Sequence, residues 1–171
     1  MIEVRCHLPS VAEYVALTSA VGWPAPSEEA CERALAATVV SVGAFEGTRL
    51  VGMGRVVGDG AENWLLVDVV VDPQHQGRSV GSALIDALET EVSNRSPGST
   101  VLLFCPSRAV PFYEGLGYEA APGTFMRKVL STSPERPGRM DDPARSGRAC
   151  GDPSVPWQRA APPPLRPPAI P

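Results

Sequence analysis

The 171-residue chain has little of what metal sites are built from: four cysteines and two histidines. Cys6, Cys31, Cys105 and Cys150 form no CxxC pair, and His7 and His75 are the only imidazoles that could complete a ligand set. A zinc site is therefore not expected, and free thiols fit a reducing compartment. Positive charge is also scarce. Basic residues number 15 against 19 acids, a net charge of −4, which argues against a nucleic-acid partner. No apolar run is long enough to span a bilayer, and Glu3, Arg5 and His7 break up any apolar leader. These absences predict a soluble, cytoplasmic protein that does not engage a membrane. Apolar residues make up 43% of the chain, enough to build a core.

Composition changes after Leu130. Residues 131–171 hold 11 of the 19 prolines and carry +2, which leaves −6 on residues 1–130. Proline fixes φ and removes a backbone donor, so the tail is expected to be disordered, with polyproline character at "APPPLRPPAIP". The predicted organisation is one domain at 1–130 followed by a passive Pro/Arg-rich tail at 131–171. A role for the tail as a PxxP-type ligand is the alternative.

Residues 1–130 alternate between two hydrophobic periods. "IEVR" reads as a short strand, and 10–20 carries Val11, Tyr14, Val15 and Thr18 at helical spacing. "SEEACERALAAT" opens with Ser27 as a candidate N-cap and with acids in its first turn. "TVVSVGAF" and "RLVGMGRVVG", separated by "EGT", form a hairpin signal. "NWLLVDVVV" is almost wholly apolar, as a strand covered on both faces would be. A helix is predicted over 80–94, with Val80, Ala83, Leu84, Ala87, Leu88 and Val92 as its apolar stripe. "STVLLFC", "AVPFYEGLG" and "YEAAPGTFMRKVL" read as a buried strand, a short helix and a closing β-hairpin. The fold class is mixed α/β, with β-hairpins among the helices rather than regular double winding.

Between the apolar strand and the long helix lies "QHQGRSVGSAL", residues 74–84. It contains Gly77 and Gly81, a basic Arg78 and no acid. A strand that feeds a helix through such a turn presents unpaired amides at the positive end of the helix dipole, which is an anion site. A plain strand-to-helix connection also favours glycine and serine, and the turn alone does not separate the two. No lysine follows Gly81, so the turn is not a GxxxxGK[ST] loop, and GxGxxG is absent.

"VVVDPQHQGRSVGSALIDALE" resembles the coenzyme A-binding motif of the GNAT superfamily of N-acetyltransferases. Val71-Asp72-Pro73 matches its V-x-P, and Gln76, Ser79 and Gly81 fall on the marked positions of Q/R-x-x-G-x-G/A. Ser79 departs from the usual glycine. "PFYEGLGYE" is similar to the family's second signature, FYxxLGF. The resemblance implies a central, mostly antiparallel sheet with two splayed strands, flanked by helices. It implies acetyl-CoA as co-substrate, no metal, an amine of a small molecule or peptide as acceptor, and in many members a homodimer.

The same resemblance distributes roles. The turn amides of Gln76, Gly77, Arg78, Ser79, Val80, Gly81 and Ser82 would hold the pyrophosphate. The backbone of Val69, Val70 and Val71 would pair with the pantetheine arm, with Val101–Cys105 as the splayed partner strand. Tyr113 stands where the family often places the acid that protonates the departing thiolate. An alkylammonium has a pKa of about 10, so the acceptor must first lose a proton. Asp68 interrupts the most apolar run of the chain, where an unpartnered carboxylate is costly. Period-two alternation places Leu65, Val67, Val69 and Val71 on one face and Leu66, Asp68 and Val70 on the other. Asp68 is then either the proton acceptor or ammonium anchor, or one half of an ion pair with Arg55. Trp23 and Arg55 are candidate substrate contacts. Cys105 reads as core and His75 as an exposed bystander. The rival to an N-acetyltransferase is a non-catalytic acyl-CoA-binding regulatory module.

Overall fold

The computed structural model of the chain describes residues 1–24 and 26–121. Most of the predicted closing hairpin and all of the tail at 131–171 lie outside the described residues. Among these residues five strands and four α-helices, besides two short 3-10 turns, follow in order: β1 (Ile2–Cys6), α1 (Val11–Ala20), α2 (Glu28–Ala36), β2 (Val40–Glu46), β3 (Arg49–Gly58), β4 (Asn63–Val71), α3 (Val80–Arg95), β5 (Thr100–Leu103) and α4 (Val110–Glu114). The strands lie side by side in chain order. The first three pairings are antiparallel and β4–β5 is parallel, as expected of a mixed, mostly antiparallel sheet.

Helix starts follow the sequence chemistry. Ser10 and Ser27 cap α1 and α2, and in α1 the Glu13 carboxylate returns a bond to the Ser10 backbone. One face of the sheet is covered by α3, whose Val80, Leu84, Ile85, Leu88 and Val92 are buried among Val42, Ala44, Val51, Val56 and Leu66. Ala83 is exposed and Ile85 is buried. The stripe is thus rotated slightly from the expected one, because the branched side chain wins the sheet-facing position over alanine. On the opposite face Tyr14, Leu17, Cys31 and Leu35 from α1 and α2 pack with Phe45, Leu50, Met53 and Val70.

The expected alternation along β4 fails at one point. Arg55 pairs with Val67 and Met53 with Val70, so Asp68 and Val69 together oppose the single residue Gly54. This is a β-bulge, and Asp68 takes up the extra length in a left-handed conformation, φ 51°. The bulge inverts parity. Trp64 and Leu66 before it, and Val69 and Val71 after it, join the α3 cluster, while Val70 joins the α1/α2 cluster. Leu66 therefore does not share a face with Asp68, and Leu65 is 39% exposed.

Candidate active site

Pairing between β4 and β5 runs only from Asn63–Thr100 to Leu66–Leu103. Beyond that point β4 continues to Val71, past the bulge, while β5 ends. A cleft of about 890 Å³ occupies the gap, with Val67–Val71 in one wall and Leu103–Pro106 in another. The strand end at 69–71 thus has no sheet neighbour on its β5 side among the described residues.

The cleft includes the glycine turn that leads into α3. Gly77 has φ 71°, a conformation glycine adopts without cost. Ser79 has φ 60°, which costs a non-glycine residue about 1–2 kcal/mol. Its side chain makes no cap bond to α3, and the first turn of α3 contains no acid. The first intrahelical bond of the turn runs from Ala83 N to Ser79 O. The amides of Val80, Gly81 and Ser82 therefore begin the helix without side-chain partners among the described residues, at its positive end. Gln76 braces this turn, its Nε2 donating to the Val71 carbonyl at 3.0 Å. Gly81 serves packing as well as access, since a Cβ there would sit 3.3 Å from Phe112 Cζ. Arg78 is exposed and does not line the cleft, unlike the other turn residues from Gln76 to Ser82.

His75 is 4% exposed, which overturns its reading as an exposed bystander. Its Nε2 lies 3.2 Å from Glu46 Oε2, and its Nδ1 lies 3.7 Å from Asp72 Oδ1. Asp72 in turn accepts from Arg49 Nη2 at 2.6 Å and from the Gln74 amide at 2.9 Å. Its side chain is paired, hence its tolerance of burial. The start of the turn is thereby pinned to the β2–β3 hairpin, and the imidazole holds the Glu46 carboxyl below the ordinary carboxylate range.

Tyr113, from α4, lines the cleft across from the strand end. It is half-buried, edge-to-face with Phe112 at 5.1 Å and with Tyr118 at 5.6 Å. Burial raises its pKa, and the neighbouring Cys105 raises it further, so the phenol is a proton donor at neutral pH. Cys105 belongs to the cleft wall rather than to the core, because β5 has already ended at Leu103.

Asp68 also lines the cleft. Its Oδ2 accepts from Arg55 Nε at 2.9 Å, from Arg55 Nη2 at 2.5 Å and from the Tyr14 hydroxyl at 3.1 Å. Among the described residues its Oδ1 accepts no hydrogen bond. Burial, then the Asp68 charge, push the Tyr14 phenol up to about 12, so it stays a donor across the physiological range. Arg55 is 4% exposed and outside the cleft lining. Its Nη1 donates to the Ala34 carbonyl at 2.8 Å and to Thr38 Oγ1 at 2.5 Å. Its place as a substrate contact is corrected on that ground: its donors are spent on Asp68 of β4, Ala34 of α2 and Thr38 just beyond α2. Trp23 lines the cleft, with Ala20 and Val21 beside it.

A model of the acetyltransferase (GNAT) domain matches residues 23–134. The histone acetyltransferase TAP1 of Glycine max is 37% identical over 123 residues, covering 66% of this chain and 53% of that protein. The chloroplastic serotonin N-acetyltransferase 2 of Oryza sativa subsp. japonica is 35% identical over 107 residues, covering 60% and 52%. The chain spans about half the length of these two curated relatives. Among solved structures, a GNAT-family acetyltransferase from Streptococcus pneumoniae superposes with TM-score 0.65 at 28% identity, over 76% of this chain and 98% of that one.

Proposed function

The chain belongs to the GNAT acetyltransferase family, and from that membership we propose that it is an N-acetyltransferase that moves an acetyl group from acetyl-CoA to a primary amine. The observation that carries this reading is the splay of β4 from β5 beyond Leu66, which opens a cleft onto the uncapped start of α3.

The residues present fit acetyl-CoA. The acid-free, uncapped turn at 76–82 suits a pyrophosphate. The strand end at Val69–Val71, with no strand neighbour on its β5 side among the described residues, suits an amide-bearing arm that hydrogen-bonds as a strand would. Acetyl-CoA supplies the thioester, an acyl group already activated toward a neutral amine. The protein's part is to orient and to move protons. Asp68, the one carboxylate lining the described cleft, attracts the acceptor's ammonium through Oδ1 and takes its proton directly or through water. Tyr113 holds a proton at its phenol oxygen for the departing thiolate. Trp23 offers an apolar wall to the acceptor. The non-catalytic reading is not favoured, because the relatives are acetyltransferases by name.

Thiol release from acetyl-CoA tests this reading, with serotonin, a histone-tail peptide and spermidine as acceptors. Release with one of them is expected, and Tyr113→Phe should cut kcat by more than about tenfold, about 1.4 kcal/mol of barrier. Acetyl-CoA binding without release to any amine would instead support a binding module.

A further inference from the structure

Three elements meet on one oxygen atom. Asp68 sits at the bulge of β4, and its Oδ2 collects donors from Tyr14 on α1 and Arg55 on β3. The same guanidinium reaches the last turn of α2 at the Ala34 carbonyl, and Thr38 just beyond it. This junction lies where a bulge interrupts the β3–β4 ladder, just beyond the last β4–β5 pair, in the part of β4 that lines the cleft.

A left-handed aspartate is unfavourable in isolation and persists only where its surroundings hold it. Here the surroundings are three hydrogen bonds on Oδ2, two of them from a buried guanidinium. The bulge decides where the strand end at 69–71 lies. α1 decides where Ala20, Val21 and Trp23 stand in the cleft lining. The two walls are thus registered to each other through Asp68.

We propose that Arg55 and Tyr14 are positioning residues: by holding Oδ2 of Asp68 they lock the β4 bulge to α1 and α2, and so set where the acceptor amine meets the thioester. The inference rests on the acetyltransferase reading. Neither residue needs to touch a substrate. Their effect is on the geometry of approach, where a displacement of about 1 Å can cost about a hundredfold in rate.

Tyr14→Phe is the decisive variant, because the ring stays in its cluster and only the hydroxyl goes. It is compared with Asp68→Asn, Arg55→Lys and the Tyr14→Phe/Asp68→Asn double variant, using acetyl-CoA and whichever of serotonin, histone-tail peptide or spermidine the wild type uses best. Thermal melting confirms that each variant is folded at the assay temperature. The expected result for Tyr14→Phe is a fall in kcat of about fivefold to twentyfold, with the KM for acetyl-CoA within about twofold of wild type. The double variant should be no slower than Asp68→Asn alone, since both remove one coupled contact. Arg55→Lys, which keeps the charge and loses the planar fork, should also lower kcat. Wild-type kcat in Tyr14→Phe, or a double variant whose losses multiply, would overturn the proposal and leave the acetyltransferase reading standing. No turnover by the wild type with any of the three amines would remove both.

Discussion

Helices α1 and α3 both begin at a serine, and the two serines are used in opposite ways. Ser10 has an extended backbone, and its hydroxyl accepts from the Glu13 amide while the Glu13 carboxylate accepts from the Ser10 backbone. Ser79 has a left-handed backbone, its hydroxyl makes no bond to the helix, and no acid follows in the first turn. A side-chain cap requires the β-region backbone, so conformation rather than residue type separates the two. The start of α1 is closed by the protein's own side chains. The start of α3 is left open, beside the cleft, at the expense of about 1–2 kcal/mol of backbone strain. A folded protein gains nothing from that arrangement, whereas an anion at the open amides does.

The comparison can be broken most severely by placing negative charge at the open start of α3. Ser79→Asp puts a carboxylate where the pyrophosphate is proposed to bind, and exchanges one left-handed non-glycine residue for another, so the backbone strain is little changed. Calorimetry should show acetyl-CoA affinity weakened by about a hundredfold or more, about 2.7 kcal/mol, with melting temperature preserved. Wild-type affinity would mean that the open helix start is not used. Gly77→Ala is next. A Cβ at Gly77 meets no atom within 4 Å, so only backbone strain changes. An affinity loss of about tenfold is expected, through a turn that no longer rests at φ 71°. Ser10→Ala sharpens the contrast from the other side. It should lower stability by about 1 kcal/mol in denaturant titration and leave acetyl-CoA affinity unchanged.

The smallest effect concerns pH. The Glu13 carboxyl is held below its ordinary value of 4.5, first by the Ser10 backbone N–H and also by the Ser10 hydroxyl and His7. The folded state binds the charged form, so this stabilisation is present above 4.5 and is lost as pH falls through the lowered folded value. Glu13→Gln should remove that acid-side dependence in melts below pH 4.5, and an unchanged profile would refute it.

Much of the fold was legible because its signals are local. Ser27 with Glu28 and Glu29 marks a helix start, "EGT" marks a hairpin, and the apolar run at 64–71 marks a central strand. Gly77 and the acid-free turn also stand out in the sequence, where they read equally as a candidate anion site or as a plain strand-to-helix connection. The bulge was not. Asp68 stands out in the sequence as a carboxylate in an apolar run, but nothing in the composition says that its φ is positive. A strict alternation therefore put Leu66 on the wrong face. Tyr14 is 54 residues from Asp68 in sequence, and at helical spacing it reads as core, which it also is. Arg55 was visible as a possible partner of Asp68, but its burial depends on Ala34 and Thr38, which only folding brings to it. His75 read as exposed because its two carboxylate neighbours, Asp72 and Glu46, include one from a distant hairpin.

The most direct test of the account is a titration of the ¹⁵N-labelled protein with acetyl-CoA, followed through its backbone amide resonances. The account predicts that the amides of Gly77, Ser79–Ser82 and Val69–Val71 shift and become protected, while those of Ser10–Glu13 stay where they were. Binding that moves α1's first turn, or that leaves the amides at the start of α3 unchanged, would contradict it.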